Sequence, residues 1–187
     1  MKKNIIIAVL MTIVTTVLLG VIYPLGMTAI AQLLFHDKAN GQLIVRDGKV
    51  IGSRIIGQAF AGPGYFHSRP SAAGAGYDAA NSGGTNFAPT NQKLIDRVQQ
   101  DTATLQAENP GQPVPVDLVT TSASGLDPDI TPAAAFFQAP RVAQARKMSE
   151  AQVTALVRAH VRGRQLGVLG EPRVNVLELN LALDVRN

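Results

Sequence analysis

The chain has 187 residues, 46% of them hydrophobic and 16% charged, with no Cys and no Trp. That length holds one ordinary domain, or a membrane anchor with a smaller domain behind it; without Cys it carries no disulfide even in an oxidising compartment. The pI of 9.7 does not point to nucleic acid. Setting Lys2 and Lys3 aside leaves 15 basic residues against 13 acidic ones, a net of +2, and no aromatic residues interleave the arginines as a stacking platform requires.

The first element is apolar. After Lys2 and Lys3 no charged residue appears before Asp37, and IIIAVLMTIVTTVLLGVIYPLGMTAIAQLLF fills the interval. A spanning helix needs about 20 such residues, so the surplus tilts the helix or carries it past the lipid beyond Tyr23-Pro24, with Tyr23 at headgroup level. Ala29-Ile30-Ala31 imitates a signal-peptide cleavage site, but the apolar region of a signal peptide is only about 7–15 residues, and a retained anchor is the better reading. The organisation expected is a short tail at 1–4, a transmembrane helix over 5–35 and one soluble domain over 36–187. Charges beside a short N-terminal tail orient a first helix, whereas a long following domain crosses largely regardless of charge. This places the N-terminus inside and the soluble domain outside.

Within the helix, Ala8, Thr12, Thr16, Gly20, Pro24, Thr28 and Gln32 recur every four residues. Four steps overshoot one turn by about 40°, so the row winds slowly round the helix. Small and hydroxylated residues in such a row admit a second helix at close range, and Thr12, Thr16 and Gly20 are the candidate contacts. The alternative is a lone anchor whose threonines bond their own backbone.

The soluble part opens with QLIVRDGKVIGSRIIGQ, two short strands about the turn pair Asp47-Gly48. AGPGYFHSRPSAAGAGYDAANSGGTNFAP follows without apolar period. TNQKLIDRVQQDTATLQAENPG then reads as a helix from Thr90, with Leu94, Ile95, Val98, Thr102 and Leu105 on one face and a stop at Asn109-Pro110-Gly111. VPVDLVTTSASG reads as a strand entering a loop, and LDPDITPAAAFFQ as a second helix with Thr131 as N-cap, Pro132 at its first position and Pro140 as its end. Ser149 and Gln152 form a capping box for a third helix that Gly163 terminates. VNVLELNLALD alternates like a strand, yet Asn175 and Glu178 form a capping box with Val174 and Leu179 as a hydrophobic staple, and helix is preferred. The fold class expected is α+β: a single N-terminal transmembrane helix followed by one small mixed α/β soluble domain.

No motif makes a convincing active site. Gly74-Ala-Gly76-Tyr-Asp-Ala79 imitates a dinucleotide fingerprint but follows no strand and opens no helix, and no P-loop occurs. Asp127 and Asp129 bracket a proline; two carboxylates hold a hard cation poorly without further oxygens, and a helix-entry turn with Asp129 and Thr131 as caps is the plainer use. His67-Ser68 raises a hydrolytic dyad, but sequence neighbours seldom meet correctly, and neither Ser122 nor Ser124 lies in a nucleophile elbow. His160 belongs to a partly buried helix face, and Arg158, Arg162 and Arg164 to a solvated or partner-facing surface. No metal site is expected.

Taken in order behind the apolar helix, GQAF, YFHSRPSAAG, YDAANSGGTN, APTN, VTTSASGLDPDITPAAA, QAPRVAQAR and NVLELNLALD resemble the C-subunit (KdpC) family of the bacterial Kdp potassium-transporting ATPases. The likeness runs nearly the whole chain. It implies an ATP-driven, high-affinity potassium importer of the bacterial cytoplasmic (inner) membrane, in which a channel-like subunit carries K⁺ and a P-type ATPase subunit hydrolyses ATP. The C subunit is implied to be a non-catalytic chaperone that raises the ATP affinity of the ATPase subunit, binding no cofactor alone while the complex uses ATP and K⁺. The resemblance also carries a nucleotide contact onto Ser122, Ser124, Gly125 and Gln138. With the domain outside no ATP reaches it, so an effect on ATP affinity runs through coupling between sites; helix entry and partner contact are the alternative use of those four residues. Residues 76–91 are expected to be an ordered loop on the transporter's outer surface, with Tyr77, Asn81 and Asn86 as contacts. The competing class is a membrane-anchored extracytoplasmic hydrolase using His67 and a serine, and a third is a K⁺-collecting surface at Asp127 and Asp129.

Overall fold

The computed structural model describes residues 1–185, and the chain divides into two units with a boundary after Leu43. In the first, Lys2–Leu34 is one helix of 33 residues: α1 (Lys2–Val17), a π-helical turn (Leu18–Ile22) and α2 (Tyr23–Leu34). Pro24 explains the wide turn. A proline ring clashes with the carbonyl four residues back, here Gly20, and a π turn relieves that crowding without breaking the helix. At 1.5 Å per residue the helix is about 50 Å long, more than the ~30 Å hydrocarbon core of a bilayer. Its large side chains touch little of the chain itself; Leu10 is 56% and Leu25 65% exposed. A short helix, α3 (His36–Ala39), follows, and Asn40 and Gln32 exchange side-chain amide hydrogen bonds of 3.1 and 3.3 Å across it.

Next in the chain is a two-stranded hairpin, β1 (Leu43–Arg46) and β2 (Lys49–Ser53), all of it but Leu43 in the second unit. Asp47 and Gly48 both take positive φ, 51° and 73°, as the turn pair demands. Residues 54–91 have no helix or strand. Then come α4 (Gln92–Glu108), which starts two residues after Thr90 and is capped by Asn91 through a 2.9 Å bond from the Lys93 amide, and a 3₁₀ turn at Val116–Leu118. The strand expected at VPVDLV is absent there because Asp117 turns inward. Its buried carboxylate accepts from the Thr131 amide (2.7 Å) and hydroxyl (3.1 Å).

β3 (Asp129–Ile130) leads into α5 (Pro132–Arg146), where Thr131 accepts from the Ala134 amide as N-cap. Asp129 does not share the capping: it lies in the strand, with its carboxylate 3.0 Å from Arg173 Nε. Nor does Pro140 end α5. The missing N–H costs one bond, while Phe137, Gln138, Ala139, Val142 and Ala143 stay buried around it, and packing carries the helix on. It stops at Lys147, whose φ of +55° closes the end. α6 (Glu150–His160) has the expected Ser149–Gln152 capping box but ends before Gly163, because Val161–Arg162 is drawn off as β4 against β5 (Arg173–Asn175). The sheet is antiparallel in the order β3-β5-β4, with Ile130 opposite Val174 and Val161 opposite Val174 on the other side.

The last element is α7 (Val176–Asp184), a helix as expected. Asn175 accepts from the Glu178 amide at 3.1 Å. The reciprocal half of the box is redirected: the Glu178 carboxylate pairs with Arg54 at 3.0 Å and with Arg162. The core lies among α5, α6, α7 and β5, where Val142, Val153, Val157, Val174, Leu179 and Leu183 are wholly buried. The alanines of α5, Ala134, Ala135, Ala139 and Ala143, keep that helix thin enough for close packing. Fold class is α+β, with one apolar N-terminal helix ahead of a small mixed unit.

Candidate functional site

Residues 63–69 carry no strand, yet the backbone around Phe66 and His67 is paired, because side chains from α5 and α7 stand in for a neighbouring strand. Asn180 takes both polar groups of Phe66: its carbonyl accepts from the Phe66 amide at 2.8 Å and its amide donates to the Phe66 carbonyl at 2.9 Å. One residue on, Gln138 does the same for His67, at 2.8 and 3.1 Å. Successive residues of an extended chain face opposite ways, so one clamp comes from each side. Arg141 donates to the Pro63 and Tyr65 carbonyls (2.6 and 3.1 Å) and to Gln138 Oε1 (2.8 Å); Arg146 donates to the Gly64 carbonyl at 2.6 Å and lies over the Tyr65 ring. Gln138 and Asn180 are 2% and 1% exposed. Buried amides must be satisfied, and these are satisfied by Phe66 and His67.

The next stretch, 69–84, is laced to the loop at 120–127. Arg69 donates to the Thr120 and Thr121 carbonyls at 3.3 Å and pairs with Asp127 at 3.1 Å. Ser71 Oγ donates to the Gly125 carbonyl (2.6 Å) and accepts from the Tyr77 amide (2.8 Å). Ser82 Oγ and the Gly83 amide both donate to the Ser124 carbonyl at 2.9 Å. Gly125 is the point of closest approach. It has φ +66°, and a Cβ there would stand 2.7 Å from the Ala73 nitrogen and 2.7 Å from the Gly83 oxygen. Ala73 beneath it is wholly buried.

Of the residues singled out for a nucleotide, Ser124 and Gly125 thus lie in one interloop seam, with the Ser122 carbonyl in the same loop accepting from the Gly125 amide at 3.4 Å, whereas Gln138 lies on α5 in the His67 clamp. Gln138 lines a cavity of about 300 Å³ with His67, Leu105, Glu108 and Arg141; the three loop residues are not in its wall. Burial, and then the Arg141 charge, lower the His67 pKa below its usual 6.5. Its Nε2 lies 3.1 Å from the Gly62 carbonyl, whereas Ser68 Oγ donates to the Gln58 carbonyl at 3.4 Å, so ring and hydroxyl serve different backbone oxygens. Asp127 and Asp129 are each in an ion pair, with Arg69 and Arg173, and burial raises the Asp129 carboxyl. Among the described residues no group of three or more His, Asp or Glu could hold a metal ion. His160 is half-buried, with Nδ1 2.9 Å from the Leu156 carbonyl; Arg162 and Arg164 are exposed and paired with Glu178 and Glu171.

The partner candidates fall into two groups. On the apolar helix, the Thr12 and Thr28 hydroxyls donate to the Ala8 and Pro24 carbonyls at 2.9 and 2.8 Å, while a Cβ at Gly20 would meet only a Thr16 methyl at 3.9 Å. The Thr12, Thr15 and Thr28 hydroxyls are therefore satisfied within the helix, which is open at Gly20. In the loop, Tyr77 holds φ +56° with its hydroxyl 2.5 Å from the Arg69 carbonyl. Asn81 donates to Asp78 at 2.6 Å and is exposed, as is Asn86 at φ +53°. Sequence reading missed the Gln138 and Asn180 clamps, for which the signal was two amides inside otherwise apolar helix faces. It also missed the apolar turn QLGVLG at 165–170.

The family described as K⁺-transporting ATPase, c chain (KdpC) matches residues 5–185. A protein of Koribacter versatilis named potassium-transporting ATPase KdpC subunit is 68% identical over 184 residues, covering 98% of this chain and 95% of its own length. Proteins of the same name are 62% identical in Acidobacterium capsulatum, over 95% of both chains, and 62% identical in Caulobacter vibrioides, over 91% of this chain and 87% of the other. The blocks of the opening resemblance are also the pieces that meet in space: YFHSRP against QAPRVAQAR and NLALD, and SAAGAGY against TTSASGLD. Matched over nearly its whole length, the chain belongs to the KdpC family, the C subunits of K⁺-transporting ATPases.

Proposed function

We propose that this chain is a non-catalytic accessory subunit of an ATP-driven potassium importer, assembled with a channel-like subunit and a P-type ATPase subunit, and that it raises the ATP affinity of the latter. Residues 5–35 span the inner membrane with the 1–4 tail inside, and 36–187 form the soluble domain on the outer side. The observation that carries this reading is that four polar side chains of the family blocks are spent on the chain's own backbone. Gln138, Asn180, Arg141 and Arg69 are occupied by residues 63–69 and 120–127, which suits a shaped accessory unit rather than a reaction centre. Thr12, Thr16 and Gly20 are the proposed helix contacts, and Tyr77, Asn81 and Asn86 the proposed loop contacts.

Ser122, Ser124, Gly125 and Gln138 then act on ATP use indirectly, by holding the interloop seam and the His67 clamp in shape. The effect reaches the ATPase subunit as a coupling free energy, typically 5–150-fold in affinity by general experience (about 1–3 kcal/mol). The apparent KM for ATP of the complex assembled with and without this chain tests it: the value rises severalfold without the chain, and an unchanged value overturns the reading. A photoreactive ATP analogue distinguishes the routes, labelling the ATPase subunit alone; label on the 119–138 peptide would establish direct contact instead.

A further inference from the structure

The connection between β4 and β5 ends in a tight turn that nothing else in the chain explains. The Gln165 and Leu169 backbones exchange two bonds of 2.9 Å, and the Gly167 and Val168 amides donate to the Arg164 and Gln165 carbonyls at 3.2 Å. At its base Arg164 holds Glu171 through both carboxylate oxygens, at 2.8 and 2.7 Å. Three of the four side chains that this ordered turn presents are apolar: Leu166 is 90%, Val168 72% and Leu169 56% exposed, beside an exposed Gln165. Leu166 also sits at φ +52°, a left-handed conformation that Gly or Asn adopts at less cost. A connection needing only to reverse direction would place such a residue there and polar ones beside it. A strained backbone carrying a bare Leu has its return outside the chain.

We propose that the 165–169 turn is a preformed knob that seats Leu166, Val168 and Leu169 in an apolar, uncharged socket on another subunit of the potassium-transporting complex. The occupant follows from the charges around the knob. Arg162 is paired with Glu178, Arg164 with Glu171 and Arg173 with Asp129, so the three cations of the strands and turn that carry it are already answered. A turn built for a lipid surface would leave such cations free for anionic headgroups. A closed set of ion pairs beneath apolar tips suits a neutral protein socket, and a backbone already fixed loses little freedom on docking. The proposal rests on membership of the multi-subunit complex for the existence of its partner.

The test uses the full-length chain, tagged, in the detergent-solubilised complex. Leu166→Gly relieves the positive φ, so the melting temperature of the chain holds or rises, while the complex subunits retained after washing fall about tenfold or more. Leu166→Asp loses them likewise. A photoreactive amino acid at 166 joins the chain to a complex subunit. Native-level retention by Leu166→Gly, or an adduct with phospholipid alone, overturns the knob while leaving the subunit assignment standing. A native chain that retains no subunit overturns the complex membership and the knob with it.

Discussion

Asn180 and Gln138 each do with one side chain what a neighbouring strand does with a backbone. Phe66 is wholly buried, so removing its partner strands an amide and a carbonyl at once. At about 1–3 kcal/mol for each buried orphan, Asn180→Ala costs roughly 2–6 kcal/mol, whereas the exposed Asn81→Ala stays within about 0.5 kcal/mol; urea titration of the two variants reads the difference, and equal midpoints would refute the clamp. His67 carries a pH signature. Burial, then Arg141, lower its folded pKa below the unfolded 6.5, so its contribution to stability is present above that value and is lost as pH falls through the folded pKa. Asp129, raised by burial, has the opposite sign, gaining at low pH and losing as pH rises. His67→Gln leaves Asp129 in place, so the fall in melting temperature from about pH 7.5 to about pH 5 is smaller in the variant than in the native chain; parallel slopes would show that His67 does not titrate in this way. Neither clamp could be seen in the sequence, because Gln138 and Asn180 meet Phe66 and His67 across more than 70 residues, and no local period records such a contact.

Elements fixed by short-range chemistry were legible, and those fixed by distant partners were not. Asp47-Gly48, the Ser149–Gln152 box, the Thr131 cap and the α7 start at Asn175 are local devices, and each forms where the residues put it. Pro140 misled because buried neighbours on α5 outweigh one missing N–H. Val161–Arg162 looked helical and became strand because β5 offered pairing. The segment at 116–118 lost its expected strand to a single carboxylate, Asp117, turned towards Thr131. On the apolar helix, Gly20 faces open space within the chain, so Gly20→Leu leaves the lone helix intact but denies a partner helix close approach. Co-isolated subunits per chain should fall several-fold; undiminished recovery would move the helix contact elsewhere.

At the scale of the whole molecule, the chain is an apolar helix long enough to cross a membrane followed by a small mixed unit in which Gln138, Asn180 and Asp117 are buried on the chain's own backbone. The sequence showed that division by one charge-free run and named the family from its blocks. What it could not show was that the blocks hold one another, the 63–69 segment against two helices and the 69–84 segment against Ser124 and Gly125. In the proposed topology that unit lies on the outer side, so its proposed influence on ATP has to pass through the membrane subunits. The native chain has no Cys, so a thiol introduced at exposed Ser82 or exposed Ala151 is unique; Ala151 leaves the Ser149 cap of α6 intact. On intact cells, a membrane-impermeant maleimide should label both positions as fully as it does after lysis. Labelling that appears only once the cells are broken would put the soluble unit beside the ATP and contradict an influence exerted from outside.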